Sequence, residues 1–392
     1  MQDVYIVAGK RTAIGDFGRS LKDFAPTKLG EIAIRAAIAA ADIQPAEVEH
    51  VVMGNVIHTE PRDMYLSRVA AVEAGIPFAT PAFTVNRLCG SGLQAIVSAA
   101  QIIQLGDATI AVAGGAESMS RGAYLLPNER WGARLGDGKV TDMVLGALHD
   151  PFGNGHMGIT AENIAARYSL TRETQDAFSV ESHRRAAHAI AQGHFKSQIV
   201  AVELPSRKGP VMFETDEHVR NDIDREKLAA LKPAFKKDGS VTAGNASGLN
   251  DGAAAVVLMS GAEVARRNAK PMARIIAYGH AGVAPETMGL GPIPASQDAL
   301  QKAGLTIQDI DTIESNEAFA AQACAVAQDL GFPPEKVNPN GGAVALGHPV
   351  GASGTIITIK ALYELIRTGG RYALITMCIG GGQGIAMIIE RM

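Results

Sequence analysis

The chain has 392 residues, of which 47% are hydrophobic and 19% are charged, and its formal net charge is −4. These values predict a globular protein of two or three domains, because one hydrophobic core rarely extends beyond about 300 residues. They argue against a nucleic-acid-binding protein, which depends on a broad basic surface.

The three cysteines Cys89, Cys324 and Cys378 form no C-x-x-C pair, and no histidines cluster at ligand spacing. This pattern fits neither a disulfide framework nor a zinc site, so we expect no metal. The first residues enter a strand pattern directly, and we find no apolar run of membrane-spanning length and no C-terminal address signal. We therefore expect a cytoplasmic protein that binds neither membranes nor nucleic acid.

The predicted elements begin with an apolar strand from Val4 to Ala8 and a helix from Leu29 to Ala41. A second strand covers 48–53, and a third covers Thr109 to Ala113. Strands that alternate with helices predict a mostly parallel sheet with helices on both faces.

Between the second and third strands, Cys89 stands where a strand pattern changes to a helical one that continues to Gly106. Unpaired N–H groups at a helix start carry about half a positive charge, which favours the thiolate. Gly90 and Gly92 leave room for a substrate carbonyl. A buried, inert cysteine is the alternative, and this turn alone does not decide between them.

The same series of elements recurs near the C-terminus. Ile310 and Ile313 stand where Val48 and Val51 stood, 262 positions later, and Ala352-Ser353-Gly354 likewise repeats Gly90-Ser91-Gly92. The chain is therefore predicted to contain two similar layered α/β halves related by a pseudo-twofold axis. Cys89 and His348, each close to the start of an equivalent helix, would then face one small cavity.

About 130 residues, from Ser118 to Asn250, separate the last two predicted strands of the first half. They hold one predicted helical run, Ala161 to Gln192, in which His183 and His188 are interpreted as solvated. Long inserts usually serve function, so we predict a cap over the core. The predicted domains are 1–118 with 250–269, the insert 119–249, and 270–392.

Three motifs follow strands of the second half, where ligands bind in open α/β folds: 314–319 with Asn316, 341–354 with His348, and 376–384 with Cys378. A thiol, an imidazole, a side-chain amide and glycine-rich N–H donors together suit acyl transfer. A second thiol suggests a further proton transfer, such as one from the carbon next to a thioester carbonyl. Taken singly, His348 and Cys378 could be core residues, and Asn316 could cap a helix.

With these motifs and Cys89, the whole chain resembles the thiolase family, and most of all its bacterial short-chain β-ketothiolases. The resemblance implies an α/β fold with a duplicated αβαβα layered core of two mixed-sheet halves. It also implies that Cys89 is acylated, that His348 activates it, and that Cys378 is the second acid/base. In the family, His348 and a water held by Asn316 form one oxyanion site, and the N–H groups of Cys89 and Gly380 form the other.

The resemblance also implies substrate contacts. The acyl pocket would be lined by Leu148, His156, Met157, Met288 and Phe319. The pantetheine arm and nucleotide of CoA would meet Ser247, Ala243, Ala234, Phe235 and Arg220. Lys227 departs from the family, whose members often have a small polar residue in this region, and it could attract the phosphates.

The implied function is acetyl-CoA C-acetyltransferase, which condenses two acetyl-CoA reversibly and could accept propionyl-CoA. A degradative thiolase of longer 3-ketoacyl-CoA and a catalytically silent acyl-CoA-binding relative are the alternatives. Acyl-CoA thioesters would be substrates, and no cofactor is expected. A homotetramer built as a dimer of dimers, with a role in fatty acid metabolism or polyhydroxyalkanoate biosynthesis, completes the prediction.

Overall fold

The computed structural model describes residues 2–207 and 209–392. The strands are β1 Val4–Thr12, β2 Gly15–Asp16, β3 His50–Gly54, β4 Ala82–Val85, β5 Ile110–Ser118, β6 Tyr124–Leu125, β7 Thr141–Asp142, β8 Ile199–Val200, β9 Val202–Leu204, β10 Val211–Phe213, β11 Asn250–Ser260, β12 Ala273–Gly282, β13 Thr312–Ser315, β14 Tyr372–Ile379 and β15 Gln383–Arg391. The α-helices are α1 Pro26–Ala40, α2 Leu66–Glu73, α3 Ser91–Leu105, α4 Met143–Ala147, α5 Met157–Arg167, α6 Arg172–Ala191, α7 Arg225–Ala229, α8 Gly261–Arg267, α9 Pro292–Ala303, α10 Ala320–Leu330, α11 Ala343–Leu346 and α12 Val350–Thr368.

The main sheet follows the order β13-β14-β15-β12-β1-β11-β5-β3-β4. Its two halves, β1-β11-β5-β3 and β12-β15-β14-β13, have the same order and meet where Tyr5 pairs with Arg274 and Ile6 with Ala273. The predicted α/β fold with two similar mixed-sheet halves is confirmed. The prediction of a mostly parallel sheet is wrong, because the central pairs β1–β11, β1–β12, β11–β5, β12–β15 and β14–β15 are antiparallel, whereas parallel pairing occurs at the outer strands, such as β3 with β5 and β13 with β14, and where the short β8 joins β1. A tight turn joins β14 to β15, which forces these two strands to run antiparallel.

Helices α3 and α12 pack against each other in the centre of the molecule, in the largest hydrophobic core. Glycines bring their first turns together. A Cβ on Gly92 would lie 2.8 Å from Thr355 Oγ1, and one on Gly354 would lie 2.3 Å from the backbone N of Leu93. A second core lies between the first half-sheet and α1 and α2, and a third between the second half-sheet and the helices α9 and α10.

The single helical run predicted over Ala161–Gln192 is two helices, α5 and α6. Ser169 adopts a left-handed conformation with φ of 53°, which an α-helix does not accommodate. Thr171 then begins α6, since its side chain accepts a hydrogen bond from the N–H of Thr174.

The sequence of Leu88–Leu105 meets the length and composition of a membrane-spanning helix, contrary to our expectation that no segment would. In the structure 61% of this window is buried inside the protein. It contains α3, which belongs to the central helix pair.

Candidate active site

Cys89 lies in a tight turn between β4 and α3. Leu88, just before it, has a φ of 47°, and Ser91 fixes the turn by accepting a hydrogen bond from Arg87 N at 2.8 Å and donating one to Leu88 O at 2.6 Å. Gly90 has no room for a side chain, because a Cβ there would lie 2.5 Å from Ile379 Cδ1. The turn therefore places Cys89 against the end of β14.

The thiol of Cys89 is neutral at rest. Burial raises its pKa to about 11, although the N–H groups of Gly380 and of Cys89 itself favour the thiolate; the charge of Glu117 raises the pKa further. The backbone N–H groups at the helix start favour the thiolate, as the sequence predicts, but the cost of burying a charge exceeds their effect. A base must take the proton before Cys89 can attack a carbonyl.

His348 carries an imidazole whose free nitrogen can be identified. Ser353 Oγ lies 2.9 Å from Pro349 O and 2.6 Å from His348 Nδ1, and when its hydroxyl donates to Pro349 O it accepts a hydrogen bond from His348 Nδ1. The lone pair then lies on Nε2, toward which Asn316 Nδ2 points at 3.4 Å. Burial lowers the pKa of His348 to about 4, which keeps the ring neutral and available as a base.

The backbone at His348 is held by a residue that sequence reasoning missed. Asn250 accepts a hydrogen bond from His348 N at 2.8 Å and donates one to Gly15 O at 3.1 Å. Gly347, with a φ of 102°, passes so close to Asn250 that a Cβ would lie 2.5 Å from its Cγ. Asn250 thus positions His348 from the strand β11 of the other half.

Cys378 lies near the end of β14 and is fully buried. Burial raises its pKa above the usual range, and the charge of Cys89 raises it further, so the two sulfurs lie within range of each other's charge. Gly380, which directs its N–H to Cys89, has no room for a side chain because a Cβ would lie 2.2 Å from Met157 Cε. The structure therefore brings Cys89, Cys378 and Gly380 together.

An apolar cluster surrounds Cys378. It includes three of the predicted acyl-pocket residues, and it consists of Met157, Ala161, Val241, Ala246, Met288, Ala318, Phe319 and Cys378, with Phe235 packed against it. Val241 was missed, because an isolated valine in an irregular insert has no periodic pattern. Leu148 packs instead against the core that contains Cys89. Its carbonyl oxygen accepts a hydrogen bond from Met157 N at 2.8 Å.

The remaining predicted contacts lie on the side of the insert. The ring of His156 stacks on Phe235 with 4.5 Å between centroids, and Ser247 donates to Ala318 O at 3.0 Å. Ala234, Ala243 and Arg220 are exposed.

Two side chains of this region differ from expectation. Lys227 is exposed and its Nζ lies 2.9 Å from Asp222 Oδ2, so it is paired within the protein. His183 is buried rather than solvated, and its Nδ1 accepts a hydrogen bond from Arg220 N at 3.1 Å. His188 is exposed, as predicted.

Glu117 is a second framework residue that the sequence did not reveal. Its buried carboxylate accepts hydrogen bonds from Asn55 Nδ2, from the N–H groups of Val56 and Ile57, and from Gly351 N at 2.8 Å. It thereby links the first half to the first turn of α12.

Among residues 2–207 and 209–392, no group of three or more His, Cys, Asp or Glu side chains could hold a metal ion. The arrangement instead supplies two thiols, one neutral imidazole and backbone donors in a buried space. These groups can carry out acyl transfer and proton transfer at a thioester.

Comparisons with known proteins agree with this chemistry. The profile "Thiolase, N-terminal domain" matches residues 4–262, and "Thiolase, C-terminal domain" matches residues 269–391. The chain is 62% identical to Beta-ketothiolase BktB of Cupriavidus necator and 50% identical to an acetyl-CoA acetyltransferase of Syntrophomonas wolfei, with all of both chains covered in each case. The crystal structure of human mitochondrial 3-ketoacyl-CoA thiolase is similar with a TM-score of 0.98 and 45% identity, covering 100% of this chain and 99% of that one.

Proposed function

Because the chain belongs to the thiolase family, we propose that it is an acetyl-CoA C-acetyltransferase. It condenses two acetyl-CoA to acetoacetyl-CoA and free CoA, and it catalyses the reverse thiolysis as well. The names of its relatives, beta-ketothiolase and acetyl-CoA acetyltransferase, support this reaction. Acyl-CoA thioesters are its substrates, and the reaction needs no cofactor.

The observation that carries the proposal is a pair of buried thiols, Cys89 and Cys378, within range of each other's charge, in a protein that also buries the neutral imidazole of His348. One thiol is enough for hydrolysis or simple acyl transfer. A second thiol beside it provides the base that carbon–carbon bond formation needs.

In the first step, His348 Nε2 takes the proton of the Cys89 thiol as the sulfur attacks the thioester carbon of acetyl-CoA. The negative oxygen is stabilised by His348 together with a water held by Asn316. When the C–S bond of the substrate breaks, the CoA sulfur takes the proton from His348. Acetyl-Cys89 and free CoA result.

In the second step, the proton of the Cys378 thiol passes to His348, and the resulting thiolate removes a proton from the methyl group of another acetyl-CoA. Its burial, which raises the pKa, makes the thiolate a strong base, as a carbon acid requires. The enolate attacks acetyl-Cys89, whose carbonyl oxygen is stabilised by the N–H groups of Cys89 and Gly380. The Cys89 sulfur leaves with the proton that His348 holds, Cys378 keeps the proton from the methyl group, and this restores the free protein.

The insert 119–249 is proposed to bind CoA. The pantetheine arm would pass Ser247, Ala243, Ala234 and Phe235, and the nucleotide would lie near Arg220. The exposure of Ala234, Ala243 and Arg220 supports this path, since it leads from the surface toward the buried apolar cluster.

A short acyl group is the preferred substrate in this proposal. Leu148, His156, Met157, Met288 and Phe319 would line the acyl pocket. Three of them form the cluster around Cys378, where few voids are expected in a packed interior. Propionyl-CoA adds one methylene group and is proposed as a slower substrate.

We also propose a cytoplasmic homotetramer, a dimer of dimers. Free thiols at all three cysteines suit a reducing compartment. Exposed apolar side chains suit contacts between subunits, on the edge strand β4 and in the insert: Phe83, Tyr124, Trp131 and Leu135. A role in polyhydroxyalkanoate biosynthesis stays a prediction.

Incubation with radiolabelled acetyl-CoA, followed by peptide mapping, tests the function. We expect acetyl on Cys89 and release of one CoA per acylated site, and then labelled acetoacetyl-CoA when a second acetyl-CoA is added. Binding of acetyl-CoA without any acetyl on Cys89 would instead identify a silent acyl-CoA-binding relative.

A further inference from the structure

Gln322 is a buried amide without a hydrogen-bond partner in the part of the chain that the structure describes. Its side chain is fully buried in α10, and neither Oε1 nor Nε2 is paired. A glutamine at the third position of a helix commonly binds the N–H group of the capping residue, here Phe319, but Gln322 does not. An unpaired buried amide is costly, so another molecule must satisfy it.

Gln322 borders the proposed acyl pocket. Phe319 belongs to the cluster around Cys378, and a Cβ on Gly289, next to Met288 of that cluster, would lie 2.6 Å from Gln322 Cγ. Side chains in a helix lean toward its N-terminus, so the amide of Gln322 leans toward Phe319. Two walls of the pocket therefore adjoin this amide.

Positions along two helices show how deep Gln322 lies. Met157 and Ala161 of α5 belong to the Cys378 cluster, whereas Ile164 packs with Ala325 in the next cluster. On α10, Gln322 stands between Phe319 and Ala325. It lies three residues after Phe319, which is about 4.5 Å along the helix axis at 1.5 Å per residue. An acyl chain that grows past Phe319 would next reach Gln322.

We propose that Gln322 limits the length of the acyl chain. With a short acyl group, water occupies the space beyond Phe319 and pairs with the amide. A longer apolar chain displaces that water and leaves the amide unpaired, because methylene groups neither donate nor accept hydrogen bonds. This inference rests on the proposed function and names the residue that sets its substrate class, short-chain 3-ketoacyl-CoA.

Gln322→Met tests the proposal, since methionine is an unbranched apolar side chain that adapts to its surroundings. We expect the ratio of kcat/KM for thiolysis of 3-ketooctanoyl-CoA over acetoacetyl-CoA to rise about tenfold, which is 1.4 kcal/mol. Turnover of acetoacetyl-CoA should change less than about twofold, because a short chain does not reach the site. The control is Gln328→Met, an exposed glutamine on the same helix, which should leave the ratio unchanged.

Three results would overturn the proposal. The first is an unchanged ratio in Gln322→Met, and the second is an equal rise in Gln328→Met. The third is a lower melting temperature for Gln322→Met than for the wild type, because that would show that the amide has a protein partner. An equal or higher melting temperature supports it.

A binding measurement separates this inference from the proposed function. In a Cys89→Ser background, calorimetry gives the Kd values of octanoyl-CoA and acetyl-CoA without turnover. Gln322→Met should move their ratio about tenfold toward octanoyl-CoA. Absent thiolysis by the wild type would contradict the proposed function, whereas an unmoved Kd ratio would contradict the role of Gln322.

Discussion

Removing the hydroxyl of Ser353 tests how the tautomer of His348 is set. In Ser353→Ala the Nδ1–H group of His348 loses the acceptor that it reaches at 2.6 Å. The proton is then no longer held on Nδ1. A ring protonated on Nε2 could not take the proton of Cys89, so the fraction of competent protein falls.

The magnitude follows from burial. An unpaired donor in a buried site costs about 1–3 kcal/mol, and His348 is 5% exposed. If the tautomer protonated on Nδ1 loses that much stabilisation, acylation of Cys89 should slow about 5- to 150-fold, at tenfold per 1.4 kcal/mol. Substrate binding should change little, because Ser353 lies behind the imidazole.

The assay is rapid-quench measurement of acetyl-Cys89 after mixing with acetyl-CoA. Ser315→Ala is the matched control, since the Ser315 hydroxyl is equally buried but has no partner in the described structure. The control should acylate at the wild-type rate. Wild-type acylation by Ser353→Ala, or equal losses in both variants, would refute the assignment of the Nε2 lone pair.

The remaining predictions concern the two thiols and one buried ion pair. Cys89→Ser should abolish labelling by acetyl-CoA, because an alcohol ionises far less than a thiol; turnover near wild type would contradict this. Cys378→Ser should still form acetyl-Cys89 but yield no acetoacetyl-CoA, and equal loss of both half-reactions would count against a separate base. Alkylation of Cys89 by iodoacetamide should rise about tenfold per pH unit between pH 6 and 9, since the thiolate fraction grows with pH until the pKa of about 11; a plateau below pH 8 would indicate a resting thiolate. Lys360→Met should lower the free energy of unfolding in urea by about 3–5 kcal/mol, because it leaves the carboxylate of Glu314 buried without its cation. The double variant Lys360→Met/Glu314→Gln should lose less stability. An equal loss in the single and double variants would show that the unpaired charge is not the cause.

The fold was predictable because its apolar pattern occurs twice. The offset of 262 positions aligns the start of α3 with that of α12, and one packed central pair follows from it. Strand direction was less predictable, since antiparallel pairing within each half arises from connections such as the tight turn after β14 and the long insert before β11. The break at Ser169 left a signal in Thr171, a preferred capping residue, but the helical spacing on both sides concealed it.

The reactive residues of the candidate site could be predicted from the sequence, whereas the residues that position them could not. Cys89, His348 and Cys378 stand in short glycine-rich motifs that can be recognised locally. Asn250 accepts a hydrogen bond from His348 N, 98 positions away, and Glu117 accepts one from Gly351 N, 234 positions away. No local sequence pattern predicts such contacts. The raised pKa of Cys89 was not predictable from the sequence for the same reason, because burial depends on the whole fold.

The two halves of the fold are similar, but the equivalent positions at the starts of α3 and α12 hold different residues. The counterpart of Cys89 in the other half is Gly351, and a Cβ on it would lie 2.5 Å from Glu117 Oε2. No second nucleophile could stand there without displacing the carboxylate that joins both repeats. The two repeats therefore contribute different side chains to the proposed reaction: the first supplies the sulfur of Cys89, and the second supplies His348 and Cys378.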